Sequence, residues 1–398
     1  MIGGTKLLSK KLAAITPSFT IGISTKVNEM KKNGIAITNL SIGEPDFFTP
    51  DRAKAAGIKA IEMNKTKYDA AEGVRDFREA ICLKLKEENK IEYKADEIVV
   101  SSGAKHSITN ALMALLDPGD EVLIPKPYWV SYPEMVKLTG GVPVFVETQR
   151  SNDFKVTVED LAGSITDRTK AVFITNPSNP TGAVYSREEL LPIAEYLVSK
   201  GVYIIADEIY EKIVFDQEFT SVASLSSDIK AMTITINGMS KSTSMTGWRI
   251  GYTASTREIA KAMATIQGHL VSHPATISQY AALESLSCKE DMVIMKNAYA
   301  KRRDLVSGLL SEIEGIDFVR PQGAFYVFID VSAFKSKLPA AESLSIQVCD
   351  LLLEKFQLAL VPGIAFGLDN YVRASTAASE ETLREGMAKL AAFAASLK

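Results

Sequence analysis

The chain has 398 residues, 46% of them hydrophobic, and its 45 basic and 48 acidic side chains leave a net charge of −3. That length exceeds one ordinary core and calls for two domains, while the charge balance gives no footprint for nucleic acid or an anionic membrane. Three scattered cysteines (Cys82, Cys288, Cys349) and three histidines (His106, His269, His273) supply neither a disulfide frame nor a zinc cluster, so no metal is expected. No segment approaches the ~18 apolar residues of a membrane span. The N-terminus carries Lys6, Lys10 and Lys11 but no apolar stretch of a secretory signal, so a cytoplasmic protein is expected.

Residues 1–49 are too short to fold alone and are expected to pack on the C-terminal unit and on a partner subunit. Between about residues 95 and 255, apolar runs rich in Val and Ile occupy 97–100, 121–124, 143–146, 171–175, 202–206, 232–236 and 250–254. They are apolar on both alternating faces, as strands covered on both sides are. Helical patterns such as 107–116 and 187–198 fill the gaps. This alternation predicts an α/β domain with a mainly parallel seven-stranded sheet between helices, over residues 50–290. Helical periodicity follows from 257 to 314, with one long helix over 292–312. A smaller α+β domain is expected over 291–398, with strands near 324–329, 358–361 and 371–374 and a helix from Glu380.

In such sheets ligands gather beyond the carboxyl ends of the strands, which selects 101–105, 127–129, 176–181, 207–210 and 240–241. Lys241 lies on a Gly/Ser-rich turn after an apolar strand, among small residues that leave room beside it. A lysine there can be desolvated and its amine freed to form a Schiff base with an aldehyde, or it can be a solvated turn lysine. Asp207 ends the run VYIIAD. A carboxylate at a buried strand end needs a cation, such as a protonated pyridine nitrogen, unless it caps a helix or joins an ion pair. Tyr210 is placed to approach a cofactor's phenolic oxygen, or packs as an ordinary aromatic. The NPSNPTG of residues 176–182 is a rigid turn, and Asn179 is the preferred amide donor to an oxygen anion; a plain turn has the same signature.

The turn 102–105 precedes a helix expected to begin near His106, where free backbone N–H groups suit a phosphate. Neither a Walker loop nor a dinucleotide fingerprint is present. Trp129 sits in a strand-end loop and can stack on a flat heteroaromatic ring, whereas Trp248 reads as a packing residue. Arg249 and Arg373 lie in apolar strand contexts. Buried arginines need anions, either a phosphate and a substrate carboxylate or internal salt bridges. A Schiff-base lysine, a ring-nitrogen carboxylate, a phenol, an amide, a phosphate turn, a stacking ring and two arginines are together what pyridoxal 5'-phosphate requires.

Nine segments in order then resemble the class I pyridoxal phosphate-dependent aminotransferases of fold type I, close to the bacterial aspartate aminotransferase subgroup. They are LSIGEPDF at 40–47, residues 68–73, SGAK at 102–105, PYWVSYPE at 127–134, NPSNPTG at 176–182, DEIY at 207–210, SKSTSMTGWRIG at 240–251, GAFY at 323–326 and PGIAFG at 362–367. The resemblance covers nearly the whole chain. It implies that Lys241 is the Schiff-base lysine and proton shuttle, and that Asp207 partners the pyridine nitrogen. Asn179 and Tyr210 would contact the 3-oxygen and Trp129 the ring. Gly103, Ala104, Ser240 and Arg249 would hold the phosphate, with Tyr68 reaching in from a second subunit of a homodimer. Arg373 would bind the substrate α-carboxylate with Gly43, Trp129 and Asn179, and Lys105 would meet the distal carboxylate of aspartate or glutamate.

The implied reaction is transamination between L-aspartate and 2-oxoglutarate. Another donor preference (aromatic, alanine or prephenate-type) and a carbon–sulfur lyase are the same-fold alternatives. A non-catalytic regulator would need a DNA-binding module for which the first 49 residues leave no room. Three positions depart from the family's usual pattern: His106 where Gln is common, Ser242–Ser244 in place of a more aromatic segment, and Thr376 where Tyr is common. These bear on the side-chain pocket rather than on cofactor chemistry.

Overall fold

The computed structural model describes residues 9–17 and 19–397; Lys6, with the rest of residues 1–8 of the expected N-terminal segment, lies outside the described residues. All seven apolar runs between 95 and 255 are strands of one sheet. Its order is Ile98–Ser101, Gly251–Ala254, Thr233–Gly238, Tyr203–Asp207, Thr169–Thr175, Glu121–Pro125, Val142–Val146. Only Gly251–Ala254 runs antiparallel to its neighbours. Alternation explains the layers. Val122 and Ile124 face a cluster with Ile108, Leu112 and Met263, whereas Leu123 faces Leu190, Ile193 and Leu197. A sheet apolar on both faces must be covered by helices on both, which requires the crossover helices found between its parallel strands.

Local signals set the helix starts. Ser186 and Glu189 form a reciprocal capping box at Arg187–Ser199, an arrangement worth about 1 kcal/mol. The helix after the first strand spans Ala104–Leu115 and begins two residues earlier than expected, because Gly103 at φ +89° turns the chain directly into it.

The helical stretch after 257 comprises Arg257–Leu270, Thr276–Ser285 and the long Lys289–Ser311. A four-stranded antiparallel sheet follows in the order Val361–Pro362, Tyr371–Ser375, Tyr326–Asp330, Asp317–Phe318, and packs with the helices Leu344–Phe356 and Glu380–Ser396. The expected strand over 358–361 is divided. Leu358–Ala359 pairs in parallel with Thr38–Asn39, while Val361–Pro362 pairs with Tyr371–Ser375. One apolar run thus serves two sheets. Leu40 lies in the same apolar cluster as Val327, Leu358 and Leu390, and Val27 packs with Leu353 and Ala359. Those contacts carry residues 41–49 across the carboxyl end of the large sheet. Among the described residues, no helix is long and apolar enough to cross a membrane.

Candidate active site

The carboxyl ends of the parallel strands open into a cavity of about 590 Å³, bounded on its other side by residues 42–44, Tyr326 and Arg373. Lys241 stands on the four-residue helix Met239–Ser242 that follows Thr233–Gly238 directly. Gly238 is required there, since a Cβ would lie 2.8 Å from Gly251 Cα and from Ile250 O. The Lys241 Nζ donates to Gly43 O at 2.6 Å. Burial first, then the nearby Arg373 and Arg249, lowers its pKa to about 8 against the opposing pull of Glu44 and Asp207. Such an amine is partly neutral near neutral pH, the state a nucleophile or base needs.

Asp207 ends Tyr203–Asp207 and is fully within the fold. Its Oδ2 accepts the Tyr132 hydroxyl at 2.6 Å and its Oδ1 accepts the Ile209 N–H at 3.3 Å. Burial raises the carboxyl pKa, while the Tyr132 hydrogen bond, Ile209 and Lys241 pull it down. A cation at this carboxylate would therefore be held strongly.

Arg373 lies in Tyr371–Ser375 at 3% exposure. Its Nη1 donates to Asn179 Oδ1 and its Nη2 to Ser41 O, both at 3.0 Å, and no described atom pairs with its Nε. Among the described residues no carboxylate pairs with it, so the guanidinium has room for an anion. Because Asn179 turns its oxygen to Arg373, its amide N–H groups are left free to donate. The Tyr210 and Tyr326 hydroxyls meet at 2.8 Å. Lys105 Nζ sits 5.0 Å from the Trp129 ring centre, its pKa lowered by burial and by Arg249. His106 Nδ1 accepts the Ser102 N–H at 3.2 Å and so braces the turn from which Ala104–Leu115 starts.

Of the residues singled out in the sequence, Gly43, Ala104, Lys105, Trp129, Asn179, Asp207, Tyr210, Ser240, Lys241, Arg249 and Arg373 line this one cavity. Gly103 lies at its edge, where a Cβ would come within 2.4 Å of Arg249 Nη2. One placement needs correction. Arg249 is not a buried strand residue: it is exposed at φ +57° on the turn before Gly251–Ala254, its Nη1 donating to Thr246 O at 2.8 Å. A left-handed residue cannot continue a strand. Tyr68, expected to serve the site of a second subunit, is 91% exposed on its own chain, its ring edge-on to His273. Sequence reasoning gave no role to Tyr132, Tyr326, Glu44 and Thr246, which also line the site. All four lie inside segments that carried the resemblance, which is the available signal.

A desolvated lysine amine, a buried carboxylate and a guanidinium open to an anion, gathered at a strand-end cavity, define an α/β enzyme built for amine–carbonyl chemistry on a carboxylate substrate. The chain belongs to the family of class I and II aminotransferases, whose model matches residues 35–390. It is an aminotransferase. It is 44% identical to the aspartate aminotransferase of a Bacillus species, covering 98% of this chain and 99% of that one. The aspartate/prephenate aminotransferase of Cereibacter sphaeroides is also 44% identical, with 98% and 99% covered. Among solved structures, the Thermus thermophilus aspartate aminotransferase with maleate superposes at a TM-score of 0.91 and 39% identity, covering 97% of this chain and 99% of that one.

Proposed function

We propose that the enzyme is a pyridoxal 5'-phosphate-dependent transaminase that moves the amino group between L-aspartate and 2-oxoglutarate. The observation that carries it is the pairing of a lysine with a pKa near 8 and a buried Asp207 lacking a basic hydrogen-bond partner in one cavity. The residues fit the cofactor. Asp207 offers a carboxylate to a ring nitrogen, and the close approach of Gly103 to Arg249 leaves a cradle that any Cβ would fill. Gly103, Ala104, Ser240 and Arg249 would hold the phosphate, Trp129 the ring face, and Asn179 and Tyr210 the 3-oxygen.

When bound, the cofactor supplies an aldehyde and a protonated ring that withdraws electrons from the substrate's α-carbon. The chain does the rest. Asp207 would keep the ring nitrogen protonated. Arg373 holds the α-carboxylate, with Gly43 and Asn179 beside it. Lys241 Nζ, the amine that would anchor the cofactor, would take the α-proton as a base and return it as an acid. Lys105 is the cation for a distal carboxylate.

A homodimer is part of the proposal, with Tyr68 completing the partner's phosphate site; its 91% exposure beside an otherwise well-packed domain supports this. Also proposed are a division at 1–49, 50–290 and 291–398, supported by apolar clusters confined to the large unit and a further one centred on the small unit, and a cytoplasmic location. The name of the Cereibacter relative makes prephenate the second acceptor to examine. Purified protein loaded with pyridoxal phosphate should lose its absorbance band near the visible on addition of aspartate and regain it with 2-oxoglutarate. No change with aspartate, or ammonia release with no amino group passed to 2-oxoglutarate, would refute the reading and favour another donor or a lyase.

A further inference from the structure

Behind the strand end that carries Asp207, a set of polar side chains is buried against the helix Arg75–Asn89. Glu208 is 0% exposed. Its backbone N–H continues the sheet to Ile236 O at 2.9 Å, and its Oε1 accepts Ser221 Oγ at 2.8 Å and the Val222 N–H at 3.0 Å. Its Oε2 has no hydrogen-bond partner among the described residues, and neither does Tyr252 OH. Three residues on, Glu211 is also buried but differently served. Lys84 Nζ meets its Oε1, Asn89 Nδ2 donates to its Oε2 at 2.9 Å, and Lys84 donates to Asn89 Oδ1 at 2.8 Å, closing a ring. Lys212 adds a longer contact at 3.6 Å while pairing with Glu88 at 2.6 Å.

Two buried carboxylates therefore compete for one buried ammonium, and Glu211 has it. An ionised Glu208 would be an uncompensated charge in a dry interior, which folded proteins avoid by protonating the group. It would also stand next to Asp207 in the chain and repel the charge that the site needs there.

We propose that Glu208 is a positioning residue that works as a neutral carboxylic acid, tying the Ser221–Val222 turn to the strand end and so fixing Asp207 without a second charge beside it. This rests on the reading of Asp207 as the ring partner. Burial first, and then Glu211, pushes Glu208 up to about 8 against Ser221, Val222 and Lys84; burial would also raise Glu211, but Lys84, Lys212 and Asn89 hold it at about 2. The charged and titratable groups that bear on Glu208 are Lys84 on the covering helix, Glu211, Tyr93 and Tyr252; Glu97 bears on Tyr93 and Glu88 on Tyr252 in turn. Asp207, Glu211 and Lys212 flank it in the chain.

The test uses the apoprotein and the loaded enzyme. A raised acid holds its proton in the folded state after the unfolded chain has released it, so its stabilisation is full at low pH and is lost as pH rises toward 8. Gln cannot titrate. The melting temperature of Glu208→Gln minus that of wild type, both without cofactor, should grow by roughly 3 °C or more from pH 5 to pH 8.5. A difference that stays constant overturns the proposal. In the loaded enzyme Glu208→Gln should keep kcat within about threefold at pH 7, whereas Glu208→Ala should lose roughly tenfold or more with little change in KM. A wild-type kcat in Glu208→Ala also overturns it. Should wild type itself fail to transaminate, the functional reading falls, and the melting series on apoprotein still decides the state of Glu208.

Discussion

The Tyr132 hydroxyl donates to Asp207 Oδ2 at 2.6 Å and lies 2.9 Å from Thr175 Oγ1, joining three strand-end segments that are far apart in the chain. The phenol ring is stacked on Phe173 at 4.1 Å. Tyr132 thus supplies the hydrogen bond that opposes the rise burial imposes on this carboxylate.

Tyr132→Phe keeps the stack and deletes the bond. A hydrogen bond to a charged group is worth about 1.5–3 kcal/mol, so kcat should fall roughly tenfold or more. Asp207 is raised by burial and held down by Tyr132, so its removal moves the acid limb of the kcat profile to higher pH. A profile with an unmoved acid limb would show that the hydroxyl does not set the state of Asp207.

Lys241→Ala should abolish transamination and leave the fold largely intact, because the side chain is anchor and proton carrier at once. Circular dichroism and a coupled assay on the same preparation check both halves. Turnover of aspartate near the wild-type rate would remove the central assignment.

The wild-type amine should react with aldehydes in a pH-dependent way. Burial lowers Lys241 from 10.5 to about 8, so the neutral, reactive form is half populated near pH 8. The rate at which apoprotein is trapped by borohydride with pyridoxal phosphate should rise with pH and level off above that point. A rise continuing to pH 10 would indicate an ordinary exposed lysine.

Asp207→Asn should cripple proton abstraction while leaving the Schiff base in place. A neutral amide cannot hold a pyridine nitrogen protonated, so the α-proton step slows most. Deuterium loss from α-deuterated aspartate in a single turnover measures it, and an unchanged rate rules the role out.

Lys105→Ala should weaken aspartate and glutamate selectively. The ammonium faces Trp129 within the cavity, and losing it should remove roughly 1.5–3 kcal/mol from a substrate with a distal carboxylate. Phenylalanine and alanine should change little in kcat/KM. An equal fall for all donors would assign Lys105 to the cofactor or the fold.

Much of this was legible in the chain itself. Seven Val- and Ile-rich runs identify a sheet covered on both faces, because burial on both sides removes the polar alternation that a half-exposed strand retains. Lys241 stood out because small residues around it leave it no structural work, and Asp207 because a carboxylate at a buried strand end needs a reason. Tertiary structure decided the rest. The partner of Asp207 lies 75 residues away and that of Arg373 lies 194 away, and no local pattern encodes such contacts. The run 358–361 divides between two sheets because two different edges reach it. Arg249 looks buried by its neighbours but is turned outward by a positive φ. Glu208 and Glu211 are the same residue type three positions apart; only the fold hands the single buried ammonium of Lys84 to one of them, since charge compensation in a dry interior depends on which side chains meet there.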